Sequence, residues 1–219
     1  MRLGLIGRGV WGGVYARNLR AMAVPFWQAG RDFRGRSADG IIIASEPHSH
    51  FVIAREFIKA GVPVLIEKPM CMNAADATEL LHLVDEHAGI GMVGHTRLYS
   101  PAWRTFKAHA QRVGVQSVFA TAGGPCQLSP WWDWGPHLAA LCFDLGVDPV
   151  IHATSMPTPL KVVVNNMLAF DDPSTEPMPL RILLSEFMSA IAEGKPHSDG
   201  IKMGLRVVEF LERRKCYGR

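Results

Sequence analysis

Three residues in this chain have the types that proton and hydride chemistry needs: the lysine of Glu67-Lys68-Pro69, and the aspartate and histidine of Asp133-Trp134-Gly135-Pro136-His137. A lysine ammonium can hold a substrate oxygen with up to three donors. An imidazole that titrates near neutrality can take or return the proton of a hydroxyl while hydride leaves the same carbon. A carboxylate four residues away shares the imidazole's face if the segment is helical, and can orient the ring and favour its protonated form. Each feature also has an ordinary structural meaning. Lys-Pro is commonly a surface lysine ahead of a turn. On spacing alone, Asp133 and His137 read more often as an N-capping aspartate and a core histidine.

What must position these groups is a dinucleotide-binding turn. Gly7-Arg8-Gly9-Val10-Trp11-Gly12 fits G-x-G-x-x-G between a strand pattern (2–6) and a helix pattern (11–22), the context that motif requires. Gly7 permits the tight turn, Gly9 lets backbone N–H groups approach a pyrophosphate, and Gly12 lets helix and strand pack closely. Val10 and Trp11 complete the turn, and the helix N-terminus supplies partial positive charge. The alternative is a glycine-rich turn that binds nothing. An acidic residue about 20 positions on grips the ribose 2′-OH in such folds. Asp32 stands there, but Arg31, Arg34 and Arg36 flank it and suit a 2′-phosphate. NAD and NADP both stay open, as does a merely solvated loop.

Beyond this turn the first half alternates short apolar strands with helices. Strands are expected at 25–29, 41–44, 62–66 and 92–93, and helices at 51–60 and 74–88, the latter capped by Asn73. This is the signature of a Rossmann-type doubly wound parallel α/β sheet. Only residues 31–40 join the second and third strands, fewer than a parallel crossover usually takes, so the second crossover helix is expected to be lost or reduced to a turn. In such a sheet the fourth strand lies beside the first. Lys68, at the end of the fourth, would then emerge next to the glycine turn. Past Tyr99 the pattern changes to a smaller α+β domain with a reduced sheet. Its helices are expected at 101–112 and 136–145, its strands at 117–121, 150–154 and 161–168, then a proline-rich loop at 171–179 and closing helices at 180–193 and 201–214. The division expected is 1–100 and 101–219. The cluster Trp131, Trp132 and Trp134 reads as core, or as a stacking surface for a sugar ring.

The 219 residues are 48% apolar with a net charge of +3, a composition that does not point to nucleic acid. No run reaches the roughly 18 apolar residues of a membrane span. Neither an export signal nor metal-type spacing of Cys71, Cys126, Cys142 and Cys216 is evident, so a cytoplasmic protein with free thiols and no metal is expected.

The segments 7–12, 41–50 (IIIASEPHSH), 60–69 (AGVPVLIEKP) and 94–97 (GHTR), with Asp133 to His137, together resemble the glucose-fructose oxidoreductase/inositol dehydrogenase/rhizopine catabolism family. Residues 179–180, 187–196 and 200–209 resemble its closing helices. The resemblance implies an NAD(P)-dependent oxidoreductase acting on CH–OH groups of a sugar, cyclitol or related polyol. It implies a catalytic Lys68, Asp133 and His137 converging on the reacting carbinol, a cofactor lined by Ser45, Pro47, His50 and Glu67, and a cis Lys68–Pro69 bond. A homo-oligomer, dimer or tetramer, is the expected assembly. The chain is shorter than usual members. The alternative from another class is a non-catalytic NAD(P)-binding regulator of the same fold.

Overall fold

The computed structural model describes residues 1–171 and 178–215. Cys216 and most of the proline-rich loop at 171–179 lie outside these. Two compact units form, and they do not follow chain order. Met1–Gly94 groups with Leu180–Val208, while His95–Pro179 groups with the chain from Glu209 onward. The first closing helix therefore belongs to the N-terminal unit, not to a contiguous second domain starting at residue 101.

The first unit is built on five parallel strands: β1 (Leu3–Ile6), β2 (Phe26–Ala29), β3 (Gly40–Ile43), β4 (Val64–Ile66) and β5 (Gly91–Val93). Every residue of β1, β3, β4 and β5 is buried. That is why these strands read as unbroken apolar runs rather than alternating ones. Helices α1 (Val10–Ala21), α2 (Pro47–Lys59) and α3 (Ala74–Glu86) make connections between them. The Asn73 side chain accepts from the Asp76 N–H and caps α3 as its position in the sequence requires. Helix α7 (Met178–Glu193) lays Phe187 and Ile191 against Gly40, where a side chain would collide with them. Helix α8 (Asp199–Lys215) contributes Ile201 and Val208 to the same core.

The strand order is β2-β1-β3-β4-β5. The expectation that the fourth strand lies beside the first is thus overturned: β3 lies there, and β4 pairs with β3. The reason is the short segment between β2 and β3. Residues 30–39 cross back over β1 with no strand or helix of their own, so the third strand takes the place that a fourth would otherwise fill. This strap is tied at several points. Trp27 Nε1 donates to the Ser37 carbonyl at 2.9 Å, the Asp39 N–H to the Arg2 carbonyl at 2.9 Å, and the Arg2 N–H to Asp39 Oδ2 at 2.6 Å. Phe33, 5% exposed, plugs the sheet face and meets the Phe57 ring of α2 at 5.8 Å.

In the second unit α4 (Pro101–Val113), α5 (Pro130–Asp133) and α6 (Gly135–Asp144) accompany a four-stranded sheet of order β7-β6-β8-β9. Its strands are β6 (Val118–Gly123), β7 (Val150–Thr154), β8 (Thr158–Val164) and β9 (Leu168–Asp171). The single strand expected over 161–168 is in fact a hairpin. Asn165 and Asn166 sit at φ 52° and 56°, the left-handed central pair of a turn that the Met167 N–H closes on the Val164 carbonyl at 3.0 Å, so that Val164 pairs with Leu168. Trp103 is fully buried and donates to Asp144 Oδ2 at 2.8 Å, while Lys107 pairs with Asp144 Oδ1 at 2.6 Å. Both contacts tie α4 to the end of α6.

Because Phe33 fills space that a crossover helix would otherwise cover, Phe33→Ala is expected to lower unfolding stability by about 3 kcal/mol. Urea denaturation checks this, and a loss below about 1 kcal/mol would show that the strap only lies on the surface.

Candidate active site

The three glycines of the turn divide their work as the motif requires. Gly7 has φ +131°, and a Cβ there would collide with the Ala44 backbone; one at Gly12 would collide with the Gly7 carbonyl. Gly9 differs: a Cβ there would meet nothing within 4 Å. Two glycines are therefore needed by the protein's own packing, while the middle one faces open space at the start of α1. No side chain caps this helix, so its first N–H groups remain for an anion. Val10 (69% exposed) and Trp11 (37% exposed) border the same opening, apolar side chains that the core does not use. The turn is fixed from beneath: the Gly7 N–H donates to the Ala29 carbonyl at 2.9 Å, and Gln28 Nε2 to the Gly7 carbonyl at 2.8 Å.

The carboxyl ends of the strands are levelled by a stair of backbone bonds. The Ala44 N–H donates to Ile6 at 2.8 Å, Glu67 to Ile43 at 2.8 Å, and Gly94 to Ile66 at 2.7 Å. Lys68 stands one residue past this edge, half-buried, its Nζ 5.9 Å from the centre of the Trp11 ring. Thus Lys68 does reach the glycine turn, although β3 separates its strand from β1. The Lys68–Pro69 bond is cis.

Glu67 and His50 lie under this edge rather than on it. Glu67 is 3% exposed; Oε1 accepts from the Tyr15 hydroxyl at 2.9 Å, and Oε2 from the Lys68 N–H at 2.8 Å. A side chain at Gly94 would meet both Glu67 and the Tyr15 hydroxyl. Burial pushes the Glu67 carboxyl up to about 7, against the pull of Lys68 and its hydrogen-bond donors. His50 is 1% exposed, with Nδ1 2.9 Å from the Pro69 carbonyl and Nε2 3.1 Å from the Ser45 carbonyl. Burial pulls its pKa below the usual histidine value, opposed by these carbonyls. Both side chains therefore act on the edge through the backbone of residues 45 and 68–69. Ser45 Oγ pairs with Ser49 Oγ at 2.7 Å, and Pro47 is the first residue of α2. Sequence reasoning missed Tyr15, whose signal was an aromatic with a hydroxyl one turn into the helix that follows the glycines.

At the end of β2, Asp32 accepts at Oδ1 from the Gly30 N–H at 2.9 Å, and Oδ2 lies 3.4 Å from both Arg8 and Arg36. The Gly30 N–H, then its own backbone N–H, and after these the two arginines hold its carboxyl below the usual range. Arg31 is exposed beside it. Arg8, inside the glycine motif, is a participant that the sequence did not single out.

Asp133 and His137 belong to the second unit. They do not share one helix: Asp133 ends α5 and His137 lies in the first turn of α6. Nor does Asp133 cap α6, whose N-cap residue is Trp134 with no side-chain cap. Asp133 Oδ2 accepts from the N–H groups of Gln127 and Leu128 at 2.8 and 2.9 Å, so it organises the preceding loop. His137 is 6% exposed, with its ring 6.4 Å from that of Trp134. Trp132 is buried, and Trp131 donates to the Leu211 carbonyl at 2.9 Å and packs on Phe210, which makes these two tryptophans core. Burial pushes the thiols of Cys71 and Cys142 up to about 12, which leaves them poor nucleophiles.

A carboxyl whose folded pKa exceeds its unfolded value binds its proton more tightly when folded. Its contribution to stability is full below about 4.5 and is lost as pH rises to about 7. Wild type should therefore lose stability relative to Glu67→Gln across that window, by on the order of 3 kcal/mol at most. Denaturant melts of both proteins between pH 4.5 and 7.5 measure the difference; a difference that stays constant would place an ionised carboxylate in the core.

Comparison with known proteins agrees with this geometry. Residues 20–95 match the family model described as an oxidoreductase family with an NAD-binding Rossmann fold. Inositol 2-dehydrogenase 1 of Saccharopolyspora erythraea is 28% identical over 135 residues, which are 49% of this chain and 40% of that protein. UDP-N-acetylglucosamine 3-dehydrogenase of Acidithiobacillus ferrooxidans is 31% identical over 64 residues, 29% of this chain and 20% of that one. The matches thus span less than half the length of these relatives. Among solved structures, GenD2 from gentamicin A biosynthesis, in complex with NAD, superposes with a TM-score of 0.79 at 17% identity, covering all of this chain and 95% of that one. At that identity the likeness speaks for the fold alone. Over residues 20–95, within its Rossmann unit, the chain is thus similar to the NAD-binding part of the glucose-fructose oxidoreductase/inositol dehydrogenase/rhizopine catabolism family of oxidoreductases.

Proposed function

We propose that this protein is an NAD(P)-dependent oxidoreductase that moves a hydride between nicotinamide and a carbinol or carbonyl carbon of a sugar, cyclitol or related polyol. The observation that carries the reading is the open approach at Gly9, held between two glycines that the fold itself requires, with Lys68 beside it over Trp11. Gly9, Val10, Trp11 and the first turn of α1 would hold the pyrophosphate; Asp32 and its arginines would face the adenosine ribose. When bound, the nicotinamide supplies a hydride acceptor or donor at C4.

The chain's own residues carry the rest. The Lys68 ammonium donates a hydrogen bond to the substrate oxygen and stabilises negative charge that develops there. Its position is set by Glu67, which takes the Lys68 backbone N–H while gripping Tyr15 on α1. The His137 imidazole takes the hydroxyl proton in the oxidation direction and returns it in reduction. Asp133 fixes the loop at 127–128 and the entry to α6, and so the His137 backbone. The substrate class is supported by the family and by relatives named as inositol and amino-sugar nucleotide dehydrogenases. Among the described residues, no helix is long and apolar enough to cross a membrane; a cytoplasmic site of action is part of the proposal.

Incubation with a polyol and sugar panel, NAD and NADP, followed at the nicotinamide absorbance, tests the reading. Turnover should fall by about 10²–10⁴-fold in His137→Ala and in Lys68→Ala. Cofactor binding with no turnover on any substrate would instead identify a non-catalytic NAD(P)-binding regulator.

A further inference from the structure

Parallel pairing with β1 uses only one side of β2. The Leu3 N–H donates to the Pro25 carbonyl at 3.0 Å and the Gly7 N–H to the Ala29 carbonyl at 2.9 Å. With Leu3 opposite Phe26, the backbone groups of Pro25, Trp27 and Ala29 face β1, and those of Phe26 and Gln28 face away. No strand lies on that side, because β2 is the last of its sheet. Among the described residues, none bonds to the outward N–H or C=O of Phe26 or Gln28. Their neighbours are closed: the Val24 N–H donates to the Leu19 carbonyl at 3.0 Å, and the Gly30 N–H to Asp32 Oδ1 at 2.9 Å. The other end of the sheet is finished differently. Beyond β5, His197 bridges Ile90, taking the Gly91 N–H at 2.8 Å and giving its own N–H to the Gly89 carbonyl at 2.9 Å. Proline often blunts an open edge, but Pro25 belongs to the set that faces β1 and leaves the outer side untouched.

We propose that this free edge of β2 takes up an extended acidic segment of another protein as an added strand. The two N–H and two C=O groups of Phe26 and Gln28 supply the main-chain bonds of such an addition. Charge selects the occupant. The Arg20 guanidinium lies 5.5 Å over the Phe26 ring and that of Arg36 lies 5.7 Å over the Trp27 ring. Phe26 and Trp27 are consecutive, so their side chains point to opposite faces, and the edge carries one cation on each. Arg17, a turn before Arg20, is exposed as well. Neighbouring carboxylates on an added strand would also point to opposite faces and would meet Arg20 on one and Arg36 on the other. A second copy of this chain is a poor occupant, because pairing β2 with β2 sets the arginines of both copies together. The short segment 30–39 creates the opening, since it returns to β3 without giving β2 a neighbour. The proposal does not depend on the dinucleotide reading.

The test is fluorescence anisotropy of the full chain with a labelled peptide, Thr-Val-Asp-Glu-Val-Thr. Three further peptides accompany it: one with Asn-Gln for Asp-Glu, one with Lys-Lys, and one acidic but N-methylated along its backbone. The acidic peptide should bind roughly tenfold more tightly than the Asn-Gln peptide or better, and more tightly still than the Lys-Lys peptide. Methylation keeps the charge and removes the donors, so it should cost about tenfold or more. Arg20→Glu should lower the affinity for the acidic peptide about fivefold and raise that for the Lys-Lys peptide. Phe26→Pro, which deletes an outward N–H, should abolish binding; thermal melts show whether it folds, and the methylated peptide makes the same test on the unaltered chain. Equal binding of the acidic and Asn-Gln peptides, equal binding of the methylated peptide, or no binding of any overturns the proposal. Sedimentation velocity adds one more outcome: an oligomer of the chain alone that Phe26→Pro dissociates would give the edge to a second copy and overturn it too.

Discussion

Close backbone contact between the end of β1 and the start of α1 is the constraint on which the site depends. It exists because residues 7 and 12 lack a Cβ: any side chain at either would strike backbone, of Ala44 in one case and of Gly7 in the other. That contact brings the N-terminus of α1 to the carboxyl edge of the sheet, where β1 and β3 are neighbours and their following connections leave to different sides. Such a switch point is where open α/β sheets bind ligands. Gly9 has no such packing duty, and without a side chain it leaves the start of α1 open to approach.

The rest of the first unit holds that edge level. Each strand end is bonded to the one beside it, and the carboxyl of Glu67 clamps α1, through Tyr15, to the backbone of Lys68. The clamp is fully buried, so removing either partner would leave a polar group without solvent to receive it. Shortening has been accommodated around this arrangement. A strand and its helix are absent between β2 and β3, and Phe33, Trp27 and the Arg2–Asp39 bonds close the gap. The loss falls at the outer edge next to β2, away from β4 and Lys68.

Much of this was legible in the sequence. Buried strands announced themselves as runs such as Ile41-Ile42-Ile43, the α3 cap as Asn73, and the turn as its three glycines. Topology was not legible to the same degree. Counting strands from the N-terminus placed β4 beside β1, because nothing local to residues 30–39 says that a strand has gone. The Asn165-Asn166 turn was hidden inside a Val-rich run, although paired asparagines that tolerate positive φ were a usable sign. Asp133 and His137 would share a face only in a continuous helix, and Trp134 breaks the segment into two short helices. Tyr15 and Arg8 were invisible because their roles depend on partners 52 and 24 residues away. The units themselves are discontinuous in sequence, which no boundary read along the chain could express.

The measurement that bears most directly on the central claim is a crystal structure of the full chain with bound dinucleotide. The account requires the pyrophosphate to lie against Gly9 and the first N–H groups of α1, with the nicotinamide on the Lys68 side of Trp11. A dinucleotide bound elsewhere, or a turn at residues 7–12 that stays bare at saturating cofactor, would contradict it.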